Sequence, residues 1–135
     1  MHIVNDRGGW GGRASFVNAL SRRWPEPERA YRSWYRARVY GDVPFELGRV
    51  QTVRVEKCLY VSNMLAQRGY GGVAVDYEAL GKCLTQVSDI ARGLGASIHT
   101  IRIGTGLGGG KWDVVEALLS QSLSDTPVYV YDLGG

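Results

Sequence analysis

Strand-like and helix-like patterns alternate along almost the whole chain, and this alternation limits the folds open to it. Short β-rich runs stand at 2–4, 50–55, 59–65, 97–103 and 128–133, and helical spacing fills most of the intervals between them. A crossover helix returns each strand to its sheet in parallel, so helices have to cover both faces. We therefore predict one domain, residues 1–135, in the α/β class with a mixed, mostly parallel sheet.

Apolar residues at helical spacing predict four helices. The first carries Phe16, Leu20 and Trp24 and has to end before Pro25, and the second begins near Pro27. The clearest pattern runs from Tyr77 to Leu94, and the last helix follows Trp112. Gly95 is well placed to end the third helix in a left-handed conformation.

Two glycine clusters, GGWGG at 8–12 and GTGLGGG at 104–110, each follow a strand and precede a helix. Ligands of open α/β sheets bind at this position, and backbone N–H groups at a helix N-terminus favour a phosphate. The alternative is a flexible turn without a ligand. Neither a P-loop lysine-serine pair nor a Rossmann fingerprint is present, so the pattern indicates neither an NTPase nor a dinucleotide enzyme.

Charge and cysteine usage narrow the class of protein only a little. The formal net charge is +3, and many arginines fall between Arg22 and Arg54, which indicates either attraction to a polyanion or a solvated helix face. Neither Cys58 nor Cys83 has metal-ligand spacing, so we expect two buried free thiols and no metal. No stretch approaches the length of a membrane span, and we expect a soluble, cytoplasmic protein without a membrane partner.

The run 102–113, RIGTGLGGGKWD, resembles the second ligand loop of macrodomains, three-layer α/β/α modules that bind ADP-ribose. Asn5-Asp6, 10–12 (WGG) and 21–25 (SRRWP) resemble the first loop and helix of one branch of that family. This branch holds ADP-ribose-1″-phosphate phosphatases and the terminal ADP-ribose protein glycohydrolase. Segments 59–67 and 130–133 fit the same branch, so the resemblance covers nearly the whole chain.

The resemblance implies a set of ligand-binding residues. Asn5 is expected to face the distal ribose, while Trp10, Gly11 and Gly12 begin the segment around the pyrophosphate. Tyr131 is expected to pack on adenine with Leu133 beside it, although a strand tyrosine is commonly only a core or surface residue. The phosphate cradle is expected to be completed by Arg102, Ile103, Gly104, Thr105, Gly106, Leu107 and Gly108.

Two departures from the family pattern bear on architecture and catalysis. The chain begins at what would be the second strand of a macrodomain, so either Met1 is internal to a longer natural product or an edge strand has been lost. A missing strand would expose a sheet edge, which a homodimer would cover. The lysine nucleophile of the glycohydrolase aligns with Gln51 or Thr52, and its loop acid with Gly108, so a Schiff-base mechanism lacks its nucleophile.

The remaining catalytic candidate is Asp6, which would polarise a water molecule for attack on the distal ribose. The alternative is that Asp6 only caps a turn. His99 is expected to be a packed or hydrogen-bonded core histidine, and His2, next to the first residue, is not expected to take part.

Three functions follow in order of preference. The first is an enzyme that removes ADP-ribose from modified protein or nucleic acid, or that dephosphorylates ADP-ribose-1″-phosphate, with no cofactor beyond ADP-ribose as ligand or product. The second is a reader module that binds ADP-ribose without turnover. The third takes the arginine-rich helices as a nucleic-acid-binding surface.

Overall fold

A computed structural model describes residues 1–11, 15–69, 75–104 and 110–132, and its elements follow the alternation predicted from the sequence. Their order in the chain is β1 (His2–Asn5), α1 (Phe16–Arg23), α2 (Glu26–Arg36), β2 (Val50–Glu56), β3 (Leu59–Gln67), α3 (Tyr77–Leu94), β4 (Ile98–Ile101), α4 (Trp112–Ser122) and β5 (Val128–Tyr131).

The strands form a mixed sheet, as predicted. β3 pairs with β1 in parallel and with β2 in antiparallel orientation, while β4 and β5 form a second parallel pair. The two ladders meet at Met1, whose backbone nitrogen donates to the His99 carbonyl at 2.8 Å and whose carbonyl accepts from Thr100 Oγ1 at 3.0 Å. β4 therefore lies beside β1.

Helices cover both faces of this sheet and give three layers. One apolar cluster joins α3 and α4 to the sheet, and another joins α1 and α2 to it. Met64, Leu65 and Ala66 of β3 are fully buried between the two layers. Strands buried on both faces require continuous apolar runs, which explains why the sequence of β3 loses its alternation here.

Local sequence signals define where the helices begin and end. Ser15 Oγ accepts from the Asn18 N–H at the start of α1, and Asp76 does the same for Ala79 at the start of α3. Gly95 has φ of 64°, so it ends α3 in the left-handed region as predicted.

Three sequence-based predictions are wrong. Cys58 lies in the turn between β2 and β3 and is exposed, so only Cys83 is a buried thiol. His99 alternates outward from β4 and is exposed rather than packed in the core. β4 spans four residues rather than 97–103, because the chain turns at Ile103, whose N–H donates to the Ile101 carbonyl.

None of the helices in the described ranges is long and apolar enough to cross a membrane.

Candidate functional site

A cleft opens where the segments that follow β1 and β4 meet the start of α1. Its cavity volume is about 240 Å³. The described residues around it come from β1 and its loop, from the start of α1, from the end of β3 and from the end of β4: 2–5, Gly9, Trp10, Gly11, 15–17, Gln67 and 101–104. The structure thus brings together the described parts of the two glycine-containing loops, each of which the sequence places between a strand and a helix.

Asn5 organises the first of these loops from a buried position. Its Oδ1 accepts from the backbone N–H groups of Arg7 at 2.9 Å and Gly9 at 3.3 Å, and its Nδ2 donates to the Gly9 carbonyl at 2.7 Å. The hydroxyl of Tyr31 on α2 donates to the Asn5 carbonyl at 2.6 Å. Asn5 therefore lines the cleft, while its amide fixes the backbone of 6–9.

Trp10 and Gly11 both line the cleft, but through different groups. The Trp10 indole is buried, and its Nε1 donates to Ser21 Oγ at 2.6 Å, which ties the loop to α1. Gly11 has φ of 128°, and a Cβ there would lie 2.6 Å from Cγ2 of Val17. Only glycine lets the backbone approach α1 so closely in this conformation.

The N-terminus of α1 faces the cleft, since Ser15, Phe16 and Val17 all contribute to its wall. The first turn of a helix carries unpaired N–H groups and the positive end of the helix dipole. This wall of the cleft is therefore suited to an anion.

The second loop begins at the opposite wall with Arg102, Ile103 and Gly104. Gly110 returns to the same point, since its N–H donates to the Gly104 carbonyl at 2.6 Å, and a Cβ on Gly110 would lie 2.5 Å from that oxygen. The Arg102 guanidinium points away toward Asp132, with its Nε 2.5 Å from Oδ1, and lies 5.3 Å from the ring centroid of Trp112. Arg102 thus reaches the cleft, but its charge is held at the rim.

Five residues predicted for the ligand loops, and one beyond β5, lie outside the described residues: Gly12, Thr105, Gly106, Leu107, Gly108 and Leu133.

Tyr131 lies beside the cleft rather than in it. Its ring is half-exposed, and its hydroxyl is 2.8 Å from Nδ1 of His99. It lines a neighbouring apolar cavity of about 260 Å³. His2, Phe16 and Ile101 line both this cavity and the cleft.

Asp6 follows β1 and supports a turn. Its Oδ1 accepts from the Gly69 N–H at 2.7 Å, and its own N–H donates to the Gln67 carbonyl at 3.0 Å. Asp6 is not among the residues that line the cleft. The hydrogen bond from Gly69 to Oδ1 matches the alternative in which Asp6 caps a turn. The catalytic hypothesis would use the other carboxylate oxygen, Oδ2.

Gln67 is the polar side chain that β3 contributes to the cleft, and the sequence analysis did not single it out. Gln51 and Thr52 lie elsewhere: Gln51 Nε2 donates to the Ala30 carbonyl at 3.0 Å beneath α2, and Thr52 pairs with Ser62 at 2.8 Å. Gln67 is the last residue of the NMLAQ run and of β3. Its position at the carboxyl end of a strand was the signal in the sequence, because the carboxyl ends of parallel strands meet at one edge of the sheet.

His2 forms part of the cleft wall from a fully enclosed position. Its Nε2 lies 2.5 Å from Asn63 Oδ1, and Asn63 Nδ2 donates to the Pro27 carbonyl and to Gln51 Oε1. Since the Asn63 oxygen must accept, His2 carries its proton on Nε2. Burial lowers the pKa of His2 to about 4, against the opposing effect of the Asn63 hydrogen bond. His2 is therefore a neutral and buried part of the cleft wall at physiological pH.

In the part of the chain that the structure describes, no three acidic, histidine or cysteine side chains gather closely enough to hold a metal ion. Two layers of helices around a mixed sheet define a small α/β module with a candidate ligand-binding cleft at the strand ends.

The chain is similar to several solved structures. It is 50% identical to a macrodomain protein from Streptomyces coelicolor, over 98% of this chain and 86% of that one, with a TM-score of 0.85. A protein of unknown function from Bacteroides thetaiotaomicron is 43% identical over 98% and 85% of the two chains, with a TM-score of 0.89. The structure of Thermosipho africanus DarTG in complex with ADP-ribose shares the fold at 17% identity, over 96% of this chain and 36% of that one, with a TM-score of 0.76.

No protein-family model matches the chain, and a search of curated proteins also found no match. The identity and coverage of the Streptomyces structure nevertheless establish the family. The chain belongs to the macrodomain family.

Proposed function

We propose that the cleft between the two loops binds ADP-ribose. The observation that carries the proposal is the convergence of the Asn5-organised loop, the N-terminus of α1 and the turn at Gly104 on one cavity. A pyrophosphate needs backbone donors and close approach, and these three features supply both. The DarTG structure, whose fold this chain shares, contains ADP-ribose.

The neighbouring apolar cavity is our candidate for the adenine. Its lining is largely apolar. The apolar and aromatic surface that a flat base requires comes from Phe16, Leu20, Val61 and Tyr131. Cleft and cavity share His2 and Ile101, so one extended ligand can occupy both. Sites for small molecules commonly enclose roughly 300–1,000 Å³, a range that the two cavities reach only together.

We further propose that the protein hydrolyses ADP-ribose from ADP-ribosylated macromolecules, or removes the phosphate of ADP-ribose-1″-phosphate. In the first reaction water attacks C1″, the bond from C1″ to the leaving oxygen breaks, and that oxygen keeps the electron pair. Asp6 takes the proton of the water. The proposal draws on the position of Asp6 in the chain, directly after Asn5, the residue expected to face the distal ribose.

A second candidate is a reader module that binds ADP-ribose without turnover. Two observations favour it: Oδ1 of Asp6 is already bonded to the Gly69 N–H, and β3 presents an amide at Gln67 instead of a nucleophile. Binding energy alone, without a positioned proton acceptor, does not accelerate hydrolysis.

The variant Asp6→Asn separates the two candidates. Asparagine keeps the oxygen that accepts from Gly69, so the turn should persist while the proton acceptor is lost. If the enzyme hypothesis holds, release of ADP-ribose from an auto-modified transferase falls by roughly 10²-fold or more, with ADP-ribose affinity unchanged. Wild-type protein that binds ADP-ribose but releases none would leave the reader function. Release at the wild-type rate by the variant would exclude Asp6 as the base.

A further inference from the structure

The outer face of α2 carries arginines at helical spacing that lead toward the first loop of the cleft. Arg29, Arg32 and Arg36 stand at i, i+3 and i+7, so they share one face, and all three are exposed. Arg38 lies two residues beyond the end of the helix. We name Arg29, Arg32, Arg36 and Arg38 the arginine stripe.

The stripe is joined physically to the ligand loop. Arg32 Nη1 donates to the Gly8 carbonyl at 3.3 Å, and the ring of Tyr35 packs so closely on Gly8 that a Cβ there would lie 2.5 Å from Cδ1. A molecule held along the stripe would therefore reach the first loop at Gly8, next to Gly9, which lines the cleft.

Much of the charge of the stripe is not neutralised. Arg32 pairs with Glu28, but in the described ranges neither Arg36 nor Arg38 has a carboxylate within 4.0 Å. Asp42, in the following loop, is the nearest acid in sequence to Arg38. The stripe therefore carries a net positive charge.

Aromatic rings accompany the arginines. The Arg38 guanidinium lies 3.9 Å from the ring centroid of Tyr35, and the Tyr40 side chain, two residues on, is 90% exposed. An exposed ring beside cations is costly for a free surface but suits stacking with a nucleobase. An acidic peptide would use the charges and leave Tyr40 without a role.

We propose that the arginine stripe, together with Tyr40, binds single-stranded nucleic acid and leads it to the cleft. Phosphates would contact the arginines while a base stacks on Tyr40. The proposal names nucleic acid as the carrier of the ADP-ribose, and in that respect it rests on the proposed function.

The test measures fluorescence anisotropy of a labelled 20-nucleotide oligo-dT with the full chain over a series of salt concentrations. The charge variant is Arg36→Gln with Arg38→Gln, neither of which contacts the cleft. The matched control is Lys82→Gln with Arg92→Gln, which removes the same charge from exposed positions on α3, in the opposite layer.

We expect the stripe variant to weaken oligonucleotide binding about tenfold and to lower the slope of log affinity against log salt by about one, as loss of one to two phosphate contacts requires. The control should change affinity less than about twofold. Tyr40→Ala should weaken binding about fivefold with the salt slope retained, since stacking is not ionic.

Equal losses in the stripe variant and the control would overturn the proposal, because the effect would then be net charge alone. Tighter binding of a duplex, or equal competition by poly-glutamate, would overturn the choice of single-stranded nucleic acid. Calorimetry with free ADP-ribose on the same variants distinguishes the two proposals. If ADP-ribose does not bind while the oligonucleotide still does, the proposed function is wrong and the nucleic-acid-binding surface stands.

Discussion

His2 is the residue at which the structure adds most to the sequence. A histidine beside the first residue gave no reason to expect burial, yet it closes the cleft wall and packs edge-on against Trp10, with ring centroids 5.2 Å apart. Its partner Asn63 lies 61 positions away in β3, and such a pairing depends on strand register rather than on local pattern.

The depressed pKa of His2 predicts acid sensitivity. In the unfolded chain the imidazole takes a proton near pH 6.5, whereas in the fold it does so only near pH 4, so stability is complete above pH 6.5 and is lost as the pH falls through this window. The full difference corresponds to about 3 kcal/mol. We expect urea denaturation of the wild type to show this loss between pH 7 and 4.

His2→Gln should flatten this pH dependence, because glutamine keeps an N–H donor for Asn63 but does not titrate in this range. His99→Gln, at the exposed histidine, is the control and should retain the wild-type slope. An unchanged slope in His2→Gln would contradict the assignment.

The two thiols should differ in reactivity. Burial raises the pKa of Cys83 to about 12, so almost no thiolate forms at neutral pH, whereas Cys58 is exposed in the turn after β2. Titration with a chromogenic disulfide reagent should show one thiol reacting at once and the second only on unfolding. Two fast thiols in the native protein would contradict the packing around Cys83.

The helices were predictable because their signals are local. The apolar period from Tyr77 to Leu94 and the stop at Gly95 match α3 residue for residue. β4 was predicted too long because the β-rich run of 97–103 does not reveal that the backbone turns at Ile103. Tyr131 shows the same limit: its strand was predicted, but the partner of its hydroxyl, His99, depends on which strands are neighbours.

At the level of elements, Asp76 should contribute measurably to α3. Its Oδ1 accepts from the Ala79 N–H at 2.9 Å, and this bond, with help from Arg68, holds the pKa of the carboxyl below its usual range. Asp76→Ala should lower the free energy of unfolding by about 1 kcal/mol. Asp89→Ala removes a carboxylate from the same helix, where it pairs with Arg92 at the surface, and should cost less than about 0.5 kcal/mol. Equal costs would contradict the capping role.

At the scale of the whole molecule, the edge of the sheet at β5 is exposed, and we predict that the protein self-associates through it. β5 pairs with β4 on one side, and in the described part of the chain no strand pairs with its other side. Tyr129, Val130 and Tyr131 are exposed there. Sedimentation velocity should show a dimer that Tyr129→Lys dissociates and that Val39→Lys, at an exposed loop, leaves intact. A monomeric wild type would rule the dimer out.

The position of the ligand site remains a prediction, which rests on the rule that glycine-rich strand ends mark an anion site in an α/β sheet. Family membership was accessible from the sequence, because the run 102–113 resembles the second ligand loop of macrodomains. The composition of the cleft wall was not, since Gln67, His2 and Ser15 meet there only after β1, β3 and α1 have packed together.

The central claim is that this cleft binds the pyrophosphate of ADP-ribose, and calorimetric titration of three proteins tests it directly. Ser15→Asp keeps a side chain that caps α1 but adds a negative charge to the cleft, and Ser120→Asp adds the same charge on the exposed face of α4. We predict one ADP-ribose per wild-type chain, affinity reduced about tenfold or more by Ser15→Asp through repulsion of the phosphates, and affinity unchanged in Ser120→Asp. Absence of binding by the wild type, or equal affinity in all three proteins, would contradict the account.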